Sequence, residues 1–99
     1  MYDMKNFKKI KNLQELAPEA MNYFLAFTDS ALKGGEIPAK YKELIAVAVA
    51  LTTQCPYCIE DHAQRARNAG ATDAELAEAT MVAAAMRAGG GVAHGLHLY

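Results

Sequence analysis

Both cysteines of the chain and one of its three histidines lie within the nine-residue stretch QCPYCIEDH, residues 54–62. A helix that starts at Pro56 places Cys55 at its N-cap, with Cys58 and His62 on one face of the helix. Unpaired backbone N–H groups and the positive end of the helix dipole favour a thiolate at such a start. The stretch therefore predicts reactive thiols beside a histidine base.

The spacing of these side chains suits a dithiol redox reaction. Because Cys58 and His62 are four residues apart, the imidazole can take the thiol proton, directly or through a water molecule, and stabilise the anion. Two sulfurs at C-x-x-C spacing can bond after a small adjustment, so a sulfenic acid on one can be closed by the other into a disulfide. The order of the sulfurs stays open here, because the helix terminus favours Cys55 as the more acidic thiol and the histidine favours Cys58.

Glu43 is the last charged residue before an apolar stretch at residues 44–51. An acid near the start of a helix is usually solvated and complements the helix dipole. It takes part in chemistry only where its helix lies beside the helix that carries His62, so that the carboxylate can orient the imidazole or relay its proton. Spacing alone leaves both interpretations open.

Proline and glycine positions indicate the helices that carry these residues. Pro18 and Pro38 each fit a first helical turn, and the apolar pattern predicts one helix from Pro18 to Gly34 and another from Tyr41 to Thr53. The second is apolar on nearly every side, which predicts a central helix buried all round. Large side chains at helical spacing in the first are expected in the core or in a subunit interface: Met21, Tyr23, Phe24 and Phe27.

The second half of the chain also indicates helix. The helix that carries the cysteines is expected to stop at Gly70. Thr72 and Glu75 form a capping box that opens a further helix to Arg87. The glycine run at residues 89–91 is interpreted as a linker, after which the tail forms either a short last helix or an arm that reaches a neighbouring subunit. Strand patterns are absent, so the sequence predicts an all-α fold of about five helices.

Composition limits the size of the protein and its partners. A chain of 99 residues fits one domain, residues 1–99. Although 53% of the residues are hydrophobic, many are alanine, so a lone monomer has a thin core and gains by sharing helix faces in a homo-oligomer. The net charge of -1, without a basic stripe, argues against nucleic acid and against an anionic membrane surface. No export signal and no apolar run of spanning length are recognisable, so a cytoplasmic location is expected.

The run ELIAVAVALTTQCPYCIEDH, residues 43–62, resembles the active-site signature of the alkylhydroperoxidase D family, within the carboxymuconolactone decarboxylase-like superfamily. The segments NAGATDAELAEA and AAAMRAGGGVAHG resemble the same family, so the similarity spans about residues 18–97. The resemblance implies an all-α fold and trimers or hexamers built through Ala-rich helices. It also implies a cysteine pair that reduces peroxides or exchanges disulfides.

Transferred residue by residue, the resemblance makes Cys58 the sulfur that peroxide oxidises and Cys55 the sulfur that closes the disulfide, with His62 and Glu43 as the proton relay. It implies a thiol-dependent peroxidase that reduces a hydroperoxide, needs no cofactor or metal, and is reset by an external dithiol or a disulfide-reducing protein. Tyr57 stands where the best-known peroxidases of the family carry a histidine. A phenol normally stays protonated, which argues against a high turnover.

Other interpretations of the cysteine pair remain. The two residues can be small buried hydrophobes, or can form a zinc site with His62 and a fourth ligand from His94 or His97. The chain can also be a protein disulfide reductase, or a non-catalytic helical assembly whose dithiol senses redox state. Lactone decarboxylation is disfavoured, because the decarboxylase branch of the superfamily lacks the cysteine pair.

Overall fold

The computed structural model describes residues 2–99, and every regular element in that range is helical. A 3-10 helix at Met4–Lys9 precedes five α-helices, and a 3-10 turn at Leu96–Leu98 follows them. The α-helices are α1 (Ile10–Leu16), α2 (Pro18–Leu32), α3 (Ala39–Thr53), α4 (Pro56–Asn68) and α5 (Asp73–Gly95). The prediction of an all-α fold is confirmed.

The helix starts follow the local sequence signals. Pro18 and Pro56 occupy the first turns of α2 and α4, and Pro38 is the N-cap of α3. At the start of α5, the Glu75 N–H donates to the Thr72 hydroxyl at 3.1 Å, and the Thr72 N–H donates to the Glu75 carboxylate at 2.9 Å. The predicted capping box is therefore present, and it satisfies two backbone donors that the helix itself leaves without partners.

The glycine run at residues 89–91 does not interrupt α5, which is one continuous helix of 23 residues. The prediction of a linker there, with a separate last helix or arm behind it, is wrong. The helix persists because helix propagation is cooperative and each glycine costs only about 1 kcal/mol relative to alanine. Within residues 2–99, the structure still has five α-helices, as expected. The separate last helix is absent from that range, but α1, which the sequence analysis did not predict, precedes α2.

The central helix is α3, which packs against α4 and α5 and only lightly against α2. Val47 and Ala50 are buried in this packing, whereas Ile45 and Val49 are 50% and 54% exposed. The expectation of a helix buried on every side is therefore wrong. The cause is that α1 and α2 pack mainly against each other and leave one face of α3 uncovered.

The chain exposes more surface than a compact monomer of its size. Its accessible area is 7487 Å², whereas a folded monomer of 10.7 kDa is expected to expose about 5,500 Å². The radius of gyration is 16.1 Å, against about 13 Å for a compact domain of this length. Among the residues described, no large side chain is fully buried. A single copy of the chain therefore leaves much apolar surface without a partner.

The unpartnered apolar surface includes side chains of α2 and α5. In α2, Met21 is buried, whereas three side chains that the sequence placed in a core or an interface are exposed: Tyr23, Phe24 and Phe27. In α5, the exposed large side chains include Met81, Val82 and Met86. Between residues 2 and 99 there is no helix with the length and hydropathy needed to cross a membrane.

Candidate active site

A left-handed residue brings the cysteines against the central helix. Gln54 ends α3 with φ of 57°, and its N–H donates to the carbonyl of Ala50. The N–H of Cys55 donates to the same carbonyl at 3.2 Å. This turn reverses the chain within two residues, so that α4 runs back along α3. The last carbonyls of α3 and the first N–H groups of α4 consequently lie at one end of the helix pair.

The cysteine pair forms a disulfide at the start of α4. Cys55 is the N-cap, and its sulfur accepts a hydrogen bond from the N–H of Cys58 at 3.3 Å. The sulfurs of the two residues are bonded, and their Cα atoms lie 5.3 Å apart. Both residues are partly exposed. The N-cap position and the proximity of the sulfurs agree with the prediction from spacing, and neither residue is fully buried.

Glu43 and His62 meet across the contact between α3 and α4. Glu43 is 7% exposed, and its Oε2 lies 2.7 Å from Nδ1 of His62. The acid is therefore not the solvated residue that its place near a helix start suggests. An ionised carboxylate only accepts hydrogen bonds, so Nδ1 carries a proton, and in the neutral imidazole the lone pair is then on Nε2. The pairing thus fixes the orientation of the imidazole ring and leaves Nε2 as the nitrogen that Glu43 does not engage.

The structure places His62 one turn after Cys58 on the same helix, as predicted. Within residues 2–99, no hydrogen bond joins the imidazole to either sulfur of the disulfide, and Nε2 lies 4.0 Å from Oδ2 of Asp61. A disulfide sulfur carries no proton, so the oxidised pair offers nothing for the base to accept. The four predicted residues are therefore assembled as two contacts: a disulfide between Cys55 and Cys58, and a hydrogen bond between Glu43 and His62.

The N-terminal segment contacts the residue between the cysteines. The side-chain amide of Asn6 donates to the Tyr57 hydroxyl at 3.4 Å, and the rings of Tyr2 and Tyr57 meet edge to face with centroids 5.0 Å apart. The Tyr2 hydroxyl donates to the Glu60 carboxylate, and this hydrogen bond raises the pKa of Tyr2 to about 12. Sequence analysis missed these contacts, because they join residues more than 50 positions apart and no local pattern marks them.

Metal-ligand geometry is not found in the described residues, which contain no group of three or more His, Cys, Asp or Glu side chains that could hold a metal ion. His94 and His97 lie near each other at the end of α5, with ring centroids 5.9 Å apart. A zinc site needs one of them to join the cysteine pair and His62, and the structure does not bring these groups together.

The chain is similar to bacterial proteins of undefined activity. It is 51% identical, over 71 residues, to a Paracoccus denitrificans protein described as uncharacterized protein 4 in the cox locus; the match covers 72% of this chain and 64% of that protein. An uncharacterized protein from Cupriavidus necator is 37% identical over 79 residues, which cover 80% of this chain and 70% of the relative. The chain thus spans about two thirds of the length of these relatives.

Solved structures share its fold. A carboxymuconolactone decarboxylase family protein from Legionella pneumophila, crystallised in its apo form, superposes with a TM-score of 0.79 at 35% identity, covering 83% of this chain and 73% of that one. A protein from Methanobacterium thermoautotrophicum superposes with a TM-score of 0.83 at 34% identity, covering 88% and 98%. The sequence of residues 18–99 matches the sequence model of the carboxymuconolactone decarboxylase family. The chain therefore belongs to the carboxymuconolactone decarboxylase family, in keeping with the alkylhydroperoxidase D-like superfamily.

Proposed function

We propose that the chain is a thiol-dependent peroxidase in which the Cys55–Cys58 pair alternates between dithiol and disulfide. The observation that carries this proposal is the buried hydrogen bond, 2.7 Å long, between Glu43 of α3 and His62 of α4. The cysteine pair lies at the start of the same helix α4. A buried carboxylate is costly unless it is paired. A histidine held in one tautomer one turn from a cysteine supplies the base that a thiol nucleophile needs.

In the first step of the proposed cycle, Nε2 of His62 takes the proton of the Cys58 thiol. The thiolate attacks the terminal oxygen of a hydroperoxide, so that an S–O bond forms and the O–O bond breaks. The leaving alkoxide takes the proton back from the imidazolium and departs as an alcohol. Glu43 stabilises the transient imidazolium through Nδ1. The sulfur is oxidised to a sulfenic acid, and the peroxide is reduced by two electrons.

In the second step, the thiol of Cys55 loses its proton and attacks the sulfur of Cys58. The S–S bond forms, the S–O bond breaks, and the hydroxyl leaves as water with that proton. An external dithiol or a disulfide-reducing protein then donates two electrons and two protons and restores both thiols. This cycle suits a reducing compartment, such as the cytoplasm, in which thiols are kept reduced.

The assignment of Cys58 as the attacking sulfur can be tested by trapping the intermediate. In Cys55→Ser the sulfenic acid has no resolving partner, so one equivalent of hydroperoxide should leave it on Cys58, where dimedone adds one label detected by mass spectrometry. In the matched Cys58→Ser variant, Cys55 should acquire no label on that timescale. Labelling of Cys55 at the same rate would reverse the roles of the two sulfurs.

A second candidate function is disulfide exchange with another protein. The partial exposure of both cysteines at a helix start favours it, because a partner thiolate can reach a sulfur at that position. A peroxidase consumes hydroperoxide stoichiometrically in the absence of any disulfide substrate, whereas a disulfide reductase does not. Comparing thiol loss with a hydroperoxide and with an oxidised model protein separates the two activities.

We also propose that the chain works as a homo-oligomer, a trimer or a hexamer. An exposed area about 2,000 Å² above that of a compact monomer exceeds the roughly 800 Å² per partner that a standard stable interface buries. The exposed face of α5 that carries Met81 and Val82 supplies apolar side chains for such a contact.

A further inference from the structure

A groove of about 400 Å³ lies between the C-terminal end of α3 and the middle of α5. Its walls include Leu51 from α3 and Ala83 and Ala84 from α5. Gln54 also lines it, and this residue directly precedes Cys55. The groove is of a size that holds small organic ligands, and its edge at Gln54 is one residue along the chain from Cys55.

One cation, Arg87, stands at this groove. One guanidinium nitrogen of Arg87 donates to the carbonyl of Thr52, which holds the group beside the end of α3. Elsewhere the arginines are paired with carboxylates: Arg65 with Asp61 at 3.0 Å, and Arg67 with Asp73 at 3.5 Å. In residues 2–99, Arg87 has no such ion pair, and no acidic side chain lines the groove.

The groove therefore offers an apolar wall and an unneutralised guanidinium. Of the five N–H donors of a guanidinium, the carbonyl of Thr52 engages one nitrogen, and the others are available to a carboxylate, which arginine binds in a planar, two-bonded geometry. The side-chain amide of Gln54 is a further polar group at the same groove, whereas the hydroxyl of Thr80 already donates to the carbonyl of Leu76. This combination suits a small molecule with an apolar body and one carboxylate.

We propose that the groove binds a carboxylate-bearing apolar hydroperoxide, with the carboxylate on Arg87, the apolar body against Leu51 and Ala83, and the hydroperoxide at the cysteine pair. This names the substrate class of the proposed peroxidase and rests on that function. A purely structural role for Arg87 is a distinct alternative, because a cation at the C-terminal end of α3 also complements the helix dipole.

Binding is tested without any turnover, on the full chain in its disulfide form. The probe is 4-isopropylbenzoate, an unreactive acid of the proposed shape, titrated by calorimetry and by amide NMR shifts at residues of the groove. Arg87→Gln should weaken binding about fivefold, the scale of a partly solvated ion pair. The matched Arg65→Gln variant should bind as wild type does, and neutral 4-isopropylbenzamide should bind wild type as weakly as the acid binds Arg87→Gln. Equal affinity of Arg87→Gln and wild type for the acid would overturn the proposal.

A second experiment measures the rate of peroxide reduction. The substrates are 4-(2-hydroperoxypropan-2-yl)benzoate and its methyl ester, which differ only in the charge. Arg87→Gln should lower kcat/KM about fivefold for the acid and clearly less for the ester, whose carbonyl oxygen accepts only a neutral hydrogen bond. An equal loss of kcat/KM on both substrates would assign Arg87 a structural role and overturn the proposal that the groove binds the substrate. If wild type reduces neither substrate nor hydrogen peroxide while 4-isopropylbenzoate still binds through Arg87, the proposed peroxidase function fails and the anion site stands. Reduction of hydrogen peroxide but of neither aryl substrate would overturn the proposed substrate class.

Discussion

The carboxylate of Glu43 lies 2.7 Å from Nδ1 of His62, across the contact between α3 and α4. The pair joins residues 19 positions apart and is largely shielded from water. Its consequence is chemical, since in a neutral imidazole this hydrogen bond fixes Nε2 as the nitrogen that can accept a proton. In the proposed cycle, that nitrogen is the base that activates Cys58.

Replacing Glu43 with glutamine should slow the reaction of the reduced protein with hydroperoxide by about 10- to 100-fold. Glutamine keeps the size of the side chain but cannot stabilise the imidazolium electrostatically, so His62 becomes a weaker base. Stopped-flow rates of thiol oxidation across a pH series provide the measurement. Glu15→Gln, which alters an exposed acid in α1, is the control and should react as wild type does. A normal rate in Glu43→Gln would remove the carboxylate from the mechanism.

Removing the imidazole should cost stability as well as activity. His62→Ala leaves Glu43 buried without its hydrogen-bond partner, which is expected to lower the free energy of unfolding by about 1 to 3 kcal/mol. Adding Glu43→Leu to His62→Ala should recover part of that loss, because the unpaired carboxylate is then gone. Urea unfolding of the reduced variants measures both values. If the double variant is no more stable than His62→Ala, the buried pair does not have the energetic role assigned to it.

Acid should erase the stabilising effect of Glu75. The hydrogen bond to the backbone of Thr72, followed by the contact with Lys40, lowers the pKa of Glu75 below its ordinary value of 4.5. Because the folded-state pKa is the lower one, the stabilisation is present above the unfolded value and is lost as the pH falls through the folded value. Urea midpoints should therefore show Glu75→Gln less stable than wild type at neutral pH. The gap should close in acid, and a gap independent of pH would contradict this linkage.

Charging the exposed apolar face of α5 should dissociate the oligomer. Val82 is 61% exposed in the single chain and is expected to be covered by a neighbouring copy. Val82→Lys would bury an unpaired ammonium group at that interface, which is strongly unfavourable. Light scattering behind a sizing column should show wild type as a trimer or a hexamer and Val82→Lys as a smaller species. Glu36→Lys, in the loop between α2 and α3, is the control; a monomeric wild type would contradict the proposal.

Features encoded by neighbouring residues could be predicted from the sequence. The N-cap at Cys55 and the capping box of Thr72 with Glu75 depend on residues no more than three positions apart, and both are present. The contact of Glu43 with His62 needs α3 and α4 to pack side by side, which local pattern does not determine, and only the resemblance to a known family favoured it. The glycines at residues 89–91 led to the wrong prediction of a linker. A weak helix former does not stop a helix that its flanking residues already propagate. The contacts of Tyr2 with Tyr57 and Glu60 depend on the path of the N-terminal segment across α4, for which the sequence carries no marker.

The most direct test of the proposed chemistry counts thiols in a single turnover. Reduced wild type, freed of reductant and mixed with one equivalent of hydroperoxide per chain, should lose two thiols per chain as the disulfide forms. Cys58→Ser should keep its remaining thiol on the same timescale. Wild-type thiols that persist in the presence of hydroperoxide, or rapid peroxide consumption by Cys58→Ser, would contradict the mechanism.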